Sequence, residues 1–296
     1  MTGKVIAVAN MKGGVGKTTI VVALAEALAA ENKSVLVIDA DAQANASICI
    51  AGDILLTSLI HSGHTVDAFL DDFLIGGRKI QFSDCILRQA SGVSHCGTTL
   101  PISLLASSSE LRLLEREIIF KLTAEKYGLD AIVGRIFLVL KEQLGARALL
   151  QNYDYVIVDC APGISALTEA SIRLADLVIV PTIPDYLSSY GLKSFCKIIW
   201  DSRPPGSLMR RPKRPPRVLM TRKREVNEHR RIAKALRDDS RTGAFELFET
   251  EIPERIGIAE SLKTNGAYPT FTTKWGTNVP LLNSLAQETM EALHGA

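Results

Sequence analysis

The chain has 296 residues, 47% of them hydrophobic and 22% charged, which allows one large α/β domain or two small ones and excludes a mostly disordered chain. The formal net charge is only +2, and as a total it argues against a nucleic-acid partner. Its distribution does not: residues 203–241 hold 14 basic and 4 acidic side chains, a net of +10, and the remainder holds 20 basic and 28 acidic, a net of −8.

In chain order, Val5 to Ala9 reads as a short buried strand, Asn10 to Lys17 as a loop, and Thr18 to Ala30 as a helix. Ser34 to Ile38 reads as a second strand ending at Asp39. Strand, helix and strand in that order make a βαβ unit, whose strands are parallel. The section from Ala51 to Gly97 has weak periodicity and yields no assignment. Leu100 to Ala106 reads as a strand, and Ser107-x-x-Glu110 as a capping box opening a helix through about Leu122. A helix is expected over Ile132 to Leu149, and strands over Tyr155 to Val158 (ending at Asp159) and Leu177 to Val180. Ser188 to Trp200 reads as helical. Residues 203–216, RPPGSLMRRPKRPP, carry five prolines and no acid and read as a loop. Arg217 to Met220 reads as a strand, Glu225 to Arg237 as a helix, Phe245 to Glu251 as a strand, and Val279 to His294 as a last helix. The pattern predicts a doubly wound, mostly parallel sheet flanked by helices. Ligands of such sheets sit at the carboxyl ends of the strands, so the loops after Ala9, Ile38, Val158 and Val180 should form the site.

Five cysteines, an odd number with no C-x-x-C spacing, argue against a disulfide scaffold or zinc ribbon and for a reducing compartment. His95-Cys96 near Cys85 is the one arrangement to test as a metal site, and it lacks further ligands nearby. No signal-peptide layout and no apolar run long enough to cross a bilayer is expected.

The run Lys12-Gly13-Gly14-Val15-Gly16-Lys17-Thr18-Thr19 lies between strand and helix, as a phosphate-binding loop requires. Its glycines let backbone N–H groups curl around phosphate oxygens, and the helix adds its positive end. Lys17 is expected on the β and γ phosphates, and the Thr18 hydroxyl on Mg²⁺.

Lys12 is not required by a general phosphate loop. With it, MKGGVGKTT resembles the deviant Walker A motif of the ParA/MinD family of ATPases. The resemblance implies a P-loop ATPase using ATP and Mg²⁺, with Gly13 to Thr19 binding the nucleotide. It also implies an ATP-bound homodimer in which Lys12 reaches the partner's nucleotide. Asp39-Ala40-Asp41-Ala42-Gln43-Ala44-Asn45 resembles that family's D-x-D-P-Q-x-N stretch, with Ala42 where proline is usual. By resemblance Asp41 orients the attacking water and Asp39 supports Mg²⁺ through its water shell. Tyr153 to Gly163 resembles the Walker B strand and switch, with one proline missing. There Asp159 takes a water of the Mg²⁺ shell, and Gly163 lets the backbone follow the γ-phosphate. Ile252 to Ser261 resembles the segment edging the adenine, placing Pro253 and Glu254 on the base and Met220 and Thr221 beside it. The likeness is good over 1–50 and 100–200, moderate over 217–294, and poor over 51–97 and 203–216.

The tail from Asn283 lacks the basic residues of a membrane-binding amphipathic helix, so no membrane partner is expected. With the first strand expected at Val5, no upstream helix-turn-helix is expected. What remains resembles short ParA-type partition and positioning ATPases, with residues 1–296 as a single domain. The resemblance implies non-specific binding of double-stranded DNA, a ParB-like or other cargo adaptor that stimulates a weak ATPase, and a cytoplasmic, nucleoid-associated location. The DNA candidates are Arg210, Arg211, Lys213, Arg214 and Arg217, then Arg222, Lys223, Arg224, Arg230 and Arg231. Phosphate contacts from such side chains give affinity without sequence readout. Three readings compete: a solvated basic loop, a site for an acidic protein, and a MinD-like switch that recruits a protein or membrane without DNA. A metabolic P-loop enzyme shares the fold, but no acceptor-site motif is present.

Overall fold

The computed structural model describes residues 3–145, 152–201, 212–241, 243–263 and 269–294. Its elements are β1 (Lys4–Val8), α1 (Lys17–Ala30), β2 (Val35–Ala40), α2 (Asn45–His61), α3 (Val66–Leu74), β3 (Ile86–Leu87), β4 (Ser94–His95), β5 (Thr98–Thr99) and β6 (Ile102–Leu105). They continue with α4 (Leu111–Ala124), α5 (Leu129–Gly145), β7 (Tyr155–Cys160), α6 (Ala166–Leu174), β8 (Leu177–Thr182), α7 (Tyr186–Tyr190) and α8 (Leu192–Asp201). The last are β9 (Arg217–Met220), α9 (Asn227–Ser240), β10 (Glu246–Leu247), α10 (Ile256–Glu260), α11 (Phe271–Trp275) and α12 (Val279–His294).

Eight strands form one sheet in the order β10-β9-β8-β1-β7-β2-β6-β3. All neighbours are parallel except β3, which runs antiparallel to β6. β1, β2, β7 and β8 read as near-continuous apolar runs because helices cover both faces. One core lies against α3, α4, α5, α6, α8 and α9. The other lies against α1, α2 and α12. Each aliphatic side chain buried in these layers stabilises by about 1.5–3 kcal/mol. α1 is apolar nearly all round, because the sheet covers one side of it and α12 another.

The expected α/β architecture is present, with local differences. Section 51–97 contains the rest of α2, then α3, a 3-10 turn at Phe82–Cys85, and three two-residue strands, of which β4 and β5 pair as a hairpin. Elements this short carry no legible period. Ser107 does not cap α4: its hydroxyl has no partner, and its backbone N–H donates to Ser47 Oγ. Its neighbour Ser108 turns inward to Asp67, so tertiary bonds outcompete the local box. The helix expected over 188–200 is two helices, α7 and α8, that meet at Gly191. The strand expected over 245–251 shortens to Glu246–Leu247. Residues 146–149 of the expected second helix lie outside the described residues.

The stretch Asn45–Leu74 is, by length and composition, apolar enough to cross a membrane, which corrects the expectation that no such run exists. The backbone divides it. Gly52 sits at φ 77°, ψ 167°, a region open essentially to glycine, and residues 62–65 form a turn between α2 and α3.

Candidate functional site

The loop after β1 carries Gly14 and Gly16 at φ +74° and +90°, the left-handed region in which a side chain is strained. The chain thereby turns tightly from strand into α1. Lys17 opens α1, is buried, and donates from Nζ to the Lys12 carbonyl at 3.3 Å. Burial lowers its pKa, while the carboxylates of Asp159 and Asp41 favour its charge.

Asp39 and Asp159 lie side by side, paired in register on β2 and β7, both almost fully buried. Asp39 Oδ2 accepts the Ser47 N–H and hydroxyl at 2.8 Å each, and Oδ1 accepts the Asp41 N–H at 3.1 Å. Burial raises its pKa to about 6 despite those bonds. Thr18 Oγ1 donates to Asp159 Oδ2 at 2.7 Å, and Asp159 Oδ1 has no hydrogen-bond partner among the described residues. Burial, then the charge of Asp39, raises the Asp159 pKa. An unpartnered buried carboxylate oxygen costs about 1–3 kcal/mol or more, so it favours a cation or a donor beside it. Thr18 gives its proton to Asp159, which leaves its lone pairs free. This donor set suits Mg²⁺, which takes few protein ligands and keeps its waters. Among the described residues no cluster of three or more His, Cys, Asp or Glu is placed to hold a metal ion, the arrangement near Cys85 and His95 included.

A cavity of about 500 Å³ opens at this end of the sheet. Gly13, Gly14, Gly16, Lys17, Thr18 and Thr19 line one wall, and Asp41, Gln43, Asn45 and Pro162 line another. The third comprises Thr221, Arg222, Ile252 to Arg255, Ile258, Ala259 and Leu262. The phosphate-loop, Asp41, Thr221, Pro253 and Glu254 expectations thus converge on one cavity. Met220 does not line it, and packs in the core instead. Val15 is buried behind the loop. Asp39 stands behind Asp41. Gly163 N–H meets the Asn10 carbonyl at 3.4 Å, joining the loop after β7 to the start of the phosphate loop.

Lys12 points elsewhere. Its Nζ donates to Ser188 Oγ at 2.8 Å and lies 3.9 Å from Asp185 Oδ1. Asp185 caps α7, accepting the Ser188 N–H at 2.6 Å. Around α7, Tyr186, Leu187 and Tyr190 are exposed.

Arg210 and Arg211 lie outside the described residues. Most other cations proposed for DNA are matched within the chain. Lys213 pairs with Asp176, Arg217 with Glu246 and Glu288, Lys223 with Glu251, and Arg230 with Glu225. Arg222 and Arg224 share Glu254, which they hold at a pKa of about 2. Among the described residues, Arg214 and Arg231 form no ion pair.

Sequence reading missed Ser47, Asp185, Ser188 and Arg222 as parts of the site. Each acts on a group distant in sequence, and only the helix-capping pattern Asp185-x-x-Ser188 is locally visible.

Residues 3–203 match a sequence-family profile described as an AAA domain. An uncharacterized protein of Pseudomonas putida is 34% identical over 194 residues, which is 64% of this chain. The chain spans 59% of that relative's length. The chromosome partitioning protein ParA of Caulobacter vibrioides is 28% identical over 261 residues, 87% of this chain and 83% of that protein. Among solved structures, a complex of a variant of Cyanothece McdA with ATP superposes with a TM-score of 0.67 at 18% identity, covering 100% of this chain and 98% of that one. Cobyrinic acid a,c-diamide synthase of Mycobacterium smegmatis, with ADP and magnesium, gives 0.66 at 23% identity, covering 98% and 94%. Similarity at that level shows the fold.

Proposed function

This chain belongs to the ParA-type P-loop ATPases, and on that premise we propose that it binds ATP with Mg²⁺ in the cavity above β1 and hydrolyses it as a switch. The observation that carries the reading is the group Lys17, Thr18 and Asp159: a buried cation, a hydroxyl with free lone pairs and an unpartnered carboxylate oxygen, beside a glycine-turned loop. Mg²⁺ would be held by the Thr18 hydroxyl, with Asp39 and Asp159 taking its shell, and would neutralise charge on the transferred phosphoryl group. Lys17 places a cation on the phosphates. Asp41, which lines the cavity beside the phosphate loop, orients the attacking water. Positioning of this kind supplies most of the catalysis in phosphoryl transfer.

In this reading residues 1–296 are one ATPase domain, located in the cytoplasm and on the nucleoid. ATP closes a homodimer, and Lys12 leaves Ser188 to act on the partner's nucleotide. The dimer binds double-stranded DNA non-specifically through the 203–231 cations, and a ParB-like or other adaptor stimulates hydrolysis to position a cargo. The net charge of +10 over 203–241 supports the DNA step. The ion pairs made by six of those cations favour a second reading, an ATP-dependent dimer that recruits a protein partner or a membrane without DNA.

Single-turnover hydrolysis and sedimentation test the switch. Lys17→Ala should abolish ATP binding. Lys12→Ala should keep ATP binding and lower hydrolysis at least about 100-fold, the scale of a lost charge-stabilising group. Unchanged turnover in Lys12→Ala would remove the trans role.

A further inference from the structure

The phosphate loop is held by more than its own glycines. Thr221 and Arg222 follow β9 directly, and each grips one loop carbonyl. Thr221 is buried, and its Oγ1 donates to the Val15 carbonyl at 2.7 Å. Arg222 Nη1 donates to the Gly14 carbonyl at 3.1 Å. The rest of the Arg222 guanidinium is fixed by Glu254, on the same wall of the cavity. Nε and Nη2 donate to Glu254 Oε1 at 3.0 and 2.7 Å. Backbone bonds brace the same strip, from Lys223 N–H to the Ile252 carbonyl and from Glu254 N–H to the Lys223 carbonyl. Arg222 adopts φ +50°, uncommon for a bulky residue. Strain of that kind costs of order 1 kcal/mol and persists only where surrounding bonds enforce it.

A trans peptide is planar, with its C=O and the following N–H on opposite sides. Holding the Gly14 carbonyl on Arg222 therefore sets the Val15 N–H on the opposite side of that peptide, and holding the Val15 carbonyl on Thr221 does the same for the Gly16 N–H. These are donors that a phosphate loop turns toward its anion. Gly14 and Gly16 are both at positive φ, where the backbone has the most freedom to flip such peptides. The loop most able to lose its shape is thus clamped at two successive carbonyls.

We propose that Thr221 and Arg222, with Glu254 holding Arg222, are positioning residues that preset the phosphate loop for a polyphosphate, acting through the loop backbone and not through the base. This rests on reading the cavity as a nucleotide site. It assigns Thr221 and Glu254 a different task from edging the adenine, and Arg222 a different task from meeting DNA. Arg224 and Arg222 hold the Glu254 carboxyl well below the usual carboxylate range, at about 2, so it is charged where it meets Arg222 at neutral pH.

The test compares ATP with inorganic tripolyphosphate, a probe without a base, as competitors of a fluorescent ATP analogue at constant Mg²⁺. Thr221→Val, close in shape but without the hydroxyl, should weaken both by the same factor, roughly three- to tenfold. Thr221→Ser should restore both. Arg222→Met, which keeps the stem and loses the fork, should weaken both in the same way. Weaker ATP with unchanged tripolyphosphate would assign the pair to the base and overturn the proposal. So would unchanged affinity for both in variants whose thermal midpoints match the parent. If the parent chain binds neither probe, the nucleotide reading of the cavity fails instead, before positioning is in question.

Discussion

At the scale of single residues, the site is a set of buried charges held short of neutrality. Asp39 and Asp159 lie beside each other in the sheet, and Lys17 is the cation nearest them in the loop. Burial raises both carboxylate pKa values above the free value, Asp39 to about 6. The folded state without metal thus holds protons that the unfolded state releases. Stability from that uptake is full below about pH 4 and is lost as pH rises through about 6. The metal-free protein should therefore melt at a lower temperature at pH 7.5 than at pH 5, as far as these groups decide it. Asp159→Asn removes one charge, and its amide oxygen can still accept from Thr18. Calorimetry without Mg²⁺ should show this variant melting roughly 5 °C higher at pH 7.5, with a flatter pH profile. With Mg²⁺ and ATP it should lose the stabilisation the parent gains. A parent profile flat from pH 5 to 7.5, or a variant stabilised by Mg²⁺-ATP as the parent is, would contradict this.

Legibility at this scale follows contiguity. Lys12 to Thr19 is one run in which each residue serves the same ligand, so the chemistry shows in the letters. Ser47, which fixes Asp39, is eight positions away, and Thr221 is 206 from the Val15 carbonyl it holds. A hydroxyl at such a distance has no pattern to betray it. Ser107 illustrates the converse: the letters spell a capping box, and Ser47 and Asp67 claim that turn's polar groups first.

At the scale of elements, β1, β2 and β7 were readable because each is an apolar run, and β2 and β7 carry Asp39 and Asp159 near their carboxyl ends. α2 was not, since Gly52 breaks it and its apolar residues include the exposed Ile54. The apolar packing of α1 carries a polar lock. Glu26 is fully buried, accepting from Lys274 Nζ at 2.5 Å and from Trp275 Nε1 at 2.7 Å. This joins α1 to α11, 248 residues on. Glu26→Ala leaves a buried ammonium and indole N–H unpaired and should cost about 3–5 kcal/mol by thermal or denaturant unfolding. Glu26→Leu combined with Lys274→Met should recover most of that loss. A loss under about 1 kcal/mol in the single variant would show that water reaches the pair.

At the scale of the whole molecule, the net charge of +2 conceals a partition, and the fold partly undoes it. Acids from Asp176, Glu246, Glu251, Glu254 and Glu288 come from elsewhere in the chain to meet the basic segment. Among the described residues of that segment few cations are thus left without an ion pair, and the proposed dimer would double them, so DNA affinity should depend on avidity. The most direct measurement is retention on non-specific double-stranded DNA with Mg²⁺ and either ATP or ADP, at several salt concentrations. The account predicts retention with ATP and little with ADP. Log affinity should fall with log salt by about 0.9 per phosphate contact. Neutralising Lys213, Arg214, Arg230 and Arg231 should lower that slope. Equal retention with the two nucleotides, or a slope unchanged by neutralisation, would contradict an ATP-switched DNA binder.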